Sequence, residues 1–301
     1  MELLELLQNG ESEEATHERR CEAEEVARKQ HEAEEAAHKP PAPSRQQRAT
    51  SNEFTLTLAP GVEMVFVYVP AGEFLMGSDP NVDTLAYEDE QPQHRVFLDE
   101  YWMGKYPVTN AQYAAFVRAT GHTVPQHWQQ GQAPEGKEQH PVIWVSWEDV
   151  ITFCSWATQV TKLVVRLPTE AEWEKAARGI DGRIYPWNNE VPDASRCNFA
   201  KYEQGTTSVG KYSLRGDSPY GCADMSGNVW EWCADYYDSE YYRNSSEYNP
   251  RGPADGRGRV LRGGSWENNI RNVRISTRAR LDSTDMRGRI GFRTVIEIVV
   301  R

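Results

Sequence analysis

The sequence has no run of about 18 apolar residues, so it predicts no transmembrane helix and no membrane partner. Its first residues, MELLE, are acidic and lack the basic region of a secretory signal. The five cysteines form no CxxC pair, and an odd number of them is typical of a reduced protein with free thiols. These features together predict a cytoplasmic protein.

Basic charge is also scarce, since 33 Lys and Arg face 45 Asp and Glu and give a net charge of -12. Nucleic acids and other polyphosphates require clustered cations, so the sequence predicts no nucleic-acid partner. The sequence contains no GxGxxG after a strand, no Walker loop, no HExxH and no GxSxG. The residues alone therefore support no enzyme class.

Aromatic residues are missing from the N-terminus, where residues 1–48 hold twelve Glu and seven Lys or Arg. Good helix formers fill residues 19–39 without an apolar stripe, and the sequence PPAPS follows. We predict a charged helical or disordered segment with a Pro-rich linker over residues 1–50, dispensable for folding of the rest. The alternative is a helix over residues 1–40 that self-associates or tethers a partner.

Globular patterns fill residues 51–301. Alternating and β-branched runs predict strands at 54–58, 64–69 and 74–77. Three helices are predicted, beginning after Thr109, Ser146 and Thr169, and the last two start with capping-box patterns. About 120 residues with short strands and many Gly and Asn follow Gly179. This order indicates an α+β domain rich in loops and in tryptophan.

The same region resembles the formylglycine-generating-enzyme, or sulfatase-modifying factor, family. The resemblance rests on blocks in the family order: MVFVYVPAGEFLMG at 64–77, YPVTN at 106–110, RLPTEAEWE at 166–174, GNVWEW at 227–232, RGGSW at 262–266 and GFR at 291–293. It implies a C-type-lectin-like fold of the formylglycine-generating-enzyme subtype, with loop-rich insertions. The family-matching tryptophans Trp147, Trp173, Trp230 and Trp232 are expected in the core.

Catalytic members of that family hold copper with two cysteines five residues apart, just after the GGS block. Here Asn268 and Val273 occupy those positions. Neither side chain forms a thiolate or binds a soft metal, so the resemblance implies no copper and no oxidase activity. An oxidoreductase is the least favoured reading of the sequence.

The C-terminal part, about residues 262–293, resembles the variable proteins of diversity-generating retroelements, in which adenine-directed errors vary scattered surface positions on a fixed frame. The frame here corresponds to 262–266, 271–274, Arg278 and 290–293. The variable, ligand-binding positions are Glu267, Asn268, Asn269, Thr277, Ala279, Leu281, Asp282, Arg287, Gly288 and Arg289.

The genetic code is compatible with this assignment at nine of these ten positions. Exchanging the adenines of an AAC codon yields Asn, Thr, Ala, Leu, Asp, Arg and Gly, but not Glu267. The resemblance thus predicts a non-catalytic, receptor-like protein that binds varied macromolecular, chiefly polar or acidic protein, ligands. The alternative is a catalytically inactive or regulatory family member with a polar loop.

A stable surface of this kind predicts that the variable side chains are exposed and that Trp266, Val273, Ile290 and Phe292 are buried beneath them. The arginine at position 278 is expected on the same exposed face.

The family resemblance also implies one structural calcium ion. The matching positions are Asp224 and Glu231 through their side chains and Gly227 and Val229 through their carbonyl oxygens. Hard oxygen ligands with two carboxylates suit Ca²⁺. The alternative is that the two carboxylates only cap turns.

Overall fold

The computed structural model describes residues 52–297, so the predictions for residues 1–50 lie outside the described residues. Within residues 52–297 the structure contains three α-helices: α1 (Asn110–Thr120), α2 (Trp147–Thr161) and α3 (Glu170–Arg178). The strands are β1 (Glu53–Ala59), β2 (Val62–Val69), β3 (Gly72–Met76), β4 (His94–Leu98), β5 (Tyr101–Gly104), β6 (Val165–Arg166), β7 (Trp230–Tyr236), β8 (Arg259–Arg262), β9 (Arg278–Leu281), β10 (Ile290–Gly291) and β11 (Val295–Glu297).

Each helix begins at the residue that the sequence predicted. The side chains of Thr109, Ser146 and Thr169 each accept a hydrogen bond from the N–H three residues later, and each forms a complete capping box. Helix α1 ends at Gly121, whose φ of 71° is a left-handed conformation that glycine adopts without strain. Because these capping contacts lie within the first turn of each helix, the local sequence suffices to locate the helix starts.

The strands form three sheets. The largest has the order β1-β2-β5-β11-β6, and all its neighbours are antiparallel. The second has the order β10-β7-β8-β9, in which β10 runs parallel to β7. Strands β3 and β4 form a separate two-stranded ladder. The second sheet contains three short pieces of the segment 262–293, which are the end of β8, all of β9 and all of β10, and these pieces position the candidate ligand-binding surface.

Aromatic rings fill the core between the helices and the first sheet. Phe153 of α2 packs at 5.2 Å from Phe292 and stacks at 5.9 Å on Tyr113 of α1. Trp173 and Trp232 are fully buried. Trp147 departs from the expectation of a core ring, because it is half-buried and carries the Arg259 guanidinium 3.9 Å from its ring centre. In residues 52–297 no helix is long and apolar enough to cross a membrane.

Candidate ligand-binding surface

The segment 262–293, called the cassette below, follows an irregular path with short regular pieces. It leaves β8, turns at Gly263 and Gly264, forms a 3-10 helix at Ile270–Val273 and continues through β9 to β10. A Cβ on Gly264 would lie 2.5 Å from the carbonyl oxygen of Asn272. The turn therefore requires glycine, since no side chain fits between these two backbones.

Buried arginines hold the cassette to the rest of the domain. Arg278 of β9 donates from Nε and Nη2 to the two Glu170 oxygens, at 2.7 and 3.0 Å. Arg262 also donates to Glu170, at 2.7 Å, and to Glu174. Burial alone would raise the pKa of the Glu170 carboxyl, but Arg278 and Arg262 outweigh it and hold that pKa below its ordinary value.

A second pair of contacts anchors the 3-10 helix. Arg274 donates to both oxygens of Glu90 at 2.6 Å and to Asp83 at 2.6 Å, and all three side chains are buried. Three positions of the predicted fixed frame, Arg262, Arg274 and Arg278, thus make buried, charge-assisted hydrogen bonds. The expectation of an exposed Arg278 is wrong, because its guanidinium forms the internal ion pair with Glu170.

Most of the predicted variable side chains reach the surface. Asn269, Asp282, Arg287 and Arg289 are exposed, whereas Glu267, Asn268, Ala279, Leu281 and Gly288 are half-buried. Beneath them Val273, Ile290 and Phe292 are buried as predicted. Trp266, expected in the core, is half-buried.

Three of these positions have internal contacts that the sequence did not predict. Thr277 was predicted to be exposed, which is wrong: it is 1% exposed, and its hydroxyl donates to the Arg271 carbonyl at 3.0 Å. Asn268 accepts hydrogen bonds from the Ser265 N–H and hydroxyl at 2.9 and 2.7 Å. A Cβ on Gly288 would lie 3.0 Å from the indole nitrogen of Trp144, so a larger residue there must displace that ring.

A depression of about 310 Å³ opens where these positions meet the second sheet. Five of the ten predicted positions line it: Asn268, Ala279, Leu281, Arg287 and Arg289. Trp230, Leu261 and Ile290 supply buried apolar surface, and Arg280 completes the lining. The depression therefore combines an apolar base with guanidinium groups.

The charge of the depression is opposite to that of the whole chain. Its lining contains three arginines and no carboxylate, whereas the chain carries a net charge of -12. Arg289 contacts Glu267 at 2.9 Å, and Arg287 lies 3.7 Å from Asp285. Arg280 makes no ion pair with a described residue and lies over the Tyr237 ring at 5.1 Å. Such a surface favours a ligand with carboxylates beside an apolar group.

The two positions of the family's cysteine pair have structural contacts. Val273 is buried in a small cluster with Tyr185, Cys197 and Phe199, whereas Asn268 holds the Ser265 turn. The four described cysteines are all buried and unpaired. Burial raises the pKa of the Cys154 thiol to about 12 and that of Cys222 to about 11. These thiols stay protonated at neutral pH, and the pKa values of Cys197 and Cys233 are raised in the same way.

One of the predicted calcium ligands, Glu231, is paired with a guanidinium. Arg293 donates to both Glu231 oxygens at 2.6 and 2.8 Å, and Trp173 donates to one of them at 2.8 Å. Asp224 accepts from the Gly210 N–H at 2.6 Å, and burial raises its pKa to about 6. Among the described residues, no three His, Cys, Asp or Glu side chains group as a metal site. Glu231 thus already has a cationic partner in Arg293, and calcium binding by Asp224, Gly227, Val229 and Glu231 stays a prediction.

Comparison with known proteins agrees with the sequence blocks. Residues 57–298 match the family described as the Sulfatase-modifying factor enzyme 1-like domain. The formylglycine-generating enzyme of Streptomyces coelicolor is 32% identical over 281 residues, covering 75% of this chain and 87% of that protein. A Chlamydia caviae protein, serine/threonine-protein kinase pkn1, is 34% identical over 249 residues, covering 77% of this chain and 37% of the kinase.

Among solved structures, Treponema denticola variable protein 1 superposes with a TM-score of 0.69 at 25% sequence identity. The match covers 82% of this chain and 99% of that one. It confirms the predicted α+β, C-type-lectin-like fold and the resemblance to variable proteins. The chain belongs to the sulfatase-modifying factor family, and its described domain has the formylglycine-generating-enzyme subtype of the C-type-lectin-like fold.

Proposed function

We propose that this chain is a non-catalytic, receptor-like protein that binds macromolecular ligands through the cassette surface, and that a retroelement diversifies this surface. The observation that supports this proposal best is that different residues of the cassette hold it in place and line the depression. Its buried arginines make ion pairs with the body of the domain, while five of its predicted variable positions line one depression. Changes in the lining therefore leave these ion pairs intact.

The chemistry of the lining supports a protein or peptide ligand rich in carboxylates. Arg280, Arg287 and Arg289 supply guanidinium groups that form bidentate hydrogen bonds with carboxylates. The apolar side chains beneath them supply desolvated contact area, which dominates binding energy in most interfaces. We place the protein in the cytoplasm, because its described cysteines are unpaired and no described helix is suited to cross a membrane.

The absence of oxidase activity is part of the proposal. Asn268 and Val273 stand where the resemblance implies a copper-binding cysteine pair, and the described cysteines are buried thiols. The purified chain, incubated with copper, oxygen and a cysteine-containing peptide, should form no aldehyde. Formation of an aldehyde at a rate above that of copper alone would contradict a non-catalytic role.

Selection from a random display library of peptides of fixed length tests the binding function directly. Full-length protein should enrich peptides rich in Asp and Glu, and their affinity should fall as salt is added. Arg280→Ala should weaken these peptides at least tenfold. Arg95→Ala serves as the matched control and should leave affinity unchanged, because Arg95 is also an exposed arginine on a strand, β4. Enrichment without acidic bias, or equal losses in both variants, would contradict the proposed surface.

A genomic observation tests diversification separately from binding. We expect a near-duplicate of the region encoding residues 262–293 beside a reverse-transcriptase gene, with mismatches confined to adenines. If no such duplicate is found but acidic peptides are still bound, the proposed binding function stands and the proposed diversification by a retroelement is refuted.

A regulatory family member is the second candidate. The observation that favours it is the Chlamydia caviae relative, in which the matching domain covers 37% of a protein named as a kinase. A recognition domain attached to a kinase is consistent with a regulatory role. In that case the affinity for the protein that the domain binds should be unchanged by Arg280→Ala. This outcome separates the two candidates.

A further inference from the structure

A tight turn outside the cassette lies directly against it. The Tyr202 N–H donates to the Phe199 carbonyl at 3.1 Å, which closes a turn with Ala200 and Lys201 at its centre. Their φ angles are 52° and 61°, so two consecutive non-glycine residues adopt the left-handed conformation. Such residues carry strain and persist only where the surroundings hold them, commonly at ligand-binding sites.

The cassette backbone supplies the contacts that hold this turn. The Ala200 N–H donates to the Asn268 carbonyl at 2.7 Å, and the Lys201 N–H donates to the Trp266 carbonyl at 2.8 Å. Both acceptors are main-chain atoms. These two hydrogen bonds therefore use no side chain of residue 267 or 268.

The turn presents an aromatic side chain to solvent. Tyr202 is 61% exposed, and its ring packs edge-on at 5.2 Å against Phe199, which is buried. The Tyr202 hydroxyl makes no hydrogen bond to another described side chain or backbone group. A tyrosine held on one face by a buried ring offers a large contact area at low entropic cost.

Asn268 joins the turn to the depression. Its side chain lines the depression, and its carbonyl oxygen accepts the Ala200 hydrogen bond. Lys201 is exposed and adds positive charge beside Asn268, which matches the arginines of the lining. The turn and the depression are thus linked through Asn268.

We propose that the turn at residues 199–202 is a fixed part of the ligand-binding surface and that Tyr202 anchors an acidic peptide or protein seated in the depression. This inference rests on the proposed binding function. Because Tyr202 lies outside residues 262–293, its contact would be shared by ligands of different cassette variants, which would then differ only in the contacts made by the lining.

The test uses acidic peptides enriched by the full-length chain from the display library. Tyr202→Ala should weaken their affinity at least tenfold, and Tyr202→Phe should weaken it less. Tyr248→Ala is the matched control, since Tyr248 is 66% exposed and also packs on a phenylalanine, Phe97, at 5.6 Å. It should leave affinity unchanged, and all three variants should keep the melting temperature of the unchanged protein.

A second selection tests whether the contact is shared. Peptides selected against the Asp282→Asn, Arg287→Ser variant should also lose at least tenfold affinity when Tyr202→Ala is added. If Arg280→Ala weakens binding and Tyr202→Ala does not, the anchor is refuted while the binding function stands. If neither substitution matters, or no acidic peptide is enriched, the binding function fails and the anchor with it.

Discussion

Arg293 and Glu231 form a bidentate ion pair in the interior of the domain, with N–O distances of 2.6 and 2.8 Å, and both side chains are buried. The pair links the segment between β10 and β11 to β7. Arg293 also donates to the carbonyl oxygens of Gly104 and Ala223, so one guanidinium joins four segments of chain. Removal of either partner leaves a buried charge without its counter-charge.

We therefore expect Arg293→Met to lower the free energy of unfolding by about 3–5 kcal/mol. Urea denaturation gives this value. The double variant Arg293→Met, Glu231→Leu should recover part of the loss, because no charge is then stranded. Arg289→Met removes an exposed pair with Glu267 and should cost less than about 1 kcal/mol. Equal losses for Arg293→Met and Arg289→Met would refute the role of the buried pair.

Calcium addition tests the predicted metal site against this arginine. Desolvation raises the pKa of Asp224 to about 6, so a bound cation would relieve the cost of its ionised form. We expect millimolar calcium to raise Tm by a few degrees over that in chelator, and Asp224→Asn to reduce the shift. An unchanged Tm in calcium and chelator would show that Arg293 alone compensates the local negative charge.

The pH dependence of stability should reveal Asp235, which is buried on β7. Burial and the neighbouring Glu170 raise its pKa from 3.8 to about 8. Between these values the folded protein keeps a proton that the unfolded chain has lost, so stability falls as pH rises. The loss is about 1.4 kcal/mol for each unit of pKa difference.

Asp235→Asn removes this titration while keeping an acceptor for the Glu170 N–H, which donates to Asp235 at 2.8 Å. The variant should gain stability over the unchanged protein as pH is raised from 5 to 8, measured by urea unfolding at each pH. Asp282→Asn, on the exposed loop, provides the control. Parallel stability curves for Asp235→Asn and the unchanged protein would contradict the raised pKa.

Positions within the cassette should differ sharply in their tolerance of substitution. Thr277→Val removes the hydroxyl that donates to the Arg271 carbonyl and should cost about 1 kcal/mol or more. Asp282→Asn and Arg287→Ser alter exposed side chains and should each cost less than about 0.5 kcal/mol. Thermal unfolding measures both classes. A Thr277→Val variant as stable as the exposed-site variants would show that this hydroxyl is dispensable.

Glycine at the left-handed turn should stabilise the protein. The left-handed conformation costs a non-glycine residue about 1–2 kcal/mol, whereas glycine loses about 0.5–1 kcal/mol of extra chain entropy on folding. Ala200→Gly and Lys201→Gly should therefore each raise stability by up to about 1 kcal/mol. Lys211→Gly, at an exposed loop position that lacks a positive φ, is a suitable control. A lowered Tm for Ala200→Gly would mean that the turn is unstrained.

The sequence predicted the helices and the family fold well because their signals are local or occur as ordered blocks. The capping residues Thr109, Ser146 and Thr169 each act within one helical turn, so neighbouring residues suffice to identify them. The short strands β6 and β10 could not be located in this way, because two residues carry no periodicity and pairing with distant strands defines them.

The candidate site was predicted less completely because burial depends on partners far away in the chain. Arg278 and Arg280 both lie on β9, but only Arg278 is buried. Its guanidinium pairs with Glu170, which is 108 residues away in the chain and therefore cannot be identified from the neighbouring sequence. Thr277 was assigned to the surface for the same reason. The turn at Tyr202 carries no cassette motif, and only the hydrogen bonds from Ala200 and Lys201 reveal that it adjoins the cassette.

The ion pairs of the cassette have a consequence for domain exchange between family members. Its arginines at 262, 274, 278 and 293 travel with a transplanted cassette, but their carboxylate partners Glu90, Glu170, Glu174 and Glu231 lie outside the cassette and stay behind in the donor. A chimera is therefore compatible only when the recipient has acids at these four positions. In a recipient without them, each grafted guanidinium would enter an apolar interior alone, and the graft would fail to fold whatever ligand its lining recognised.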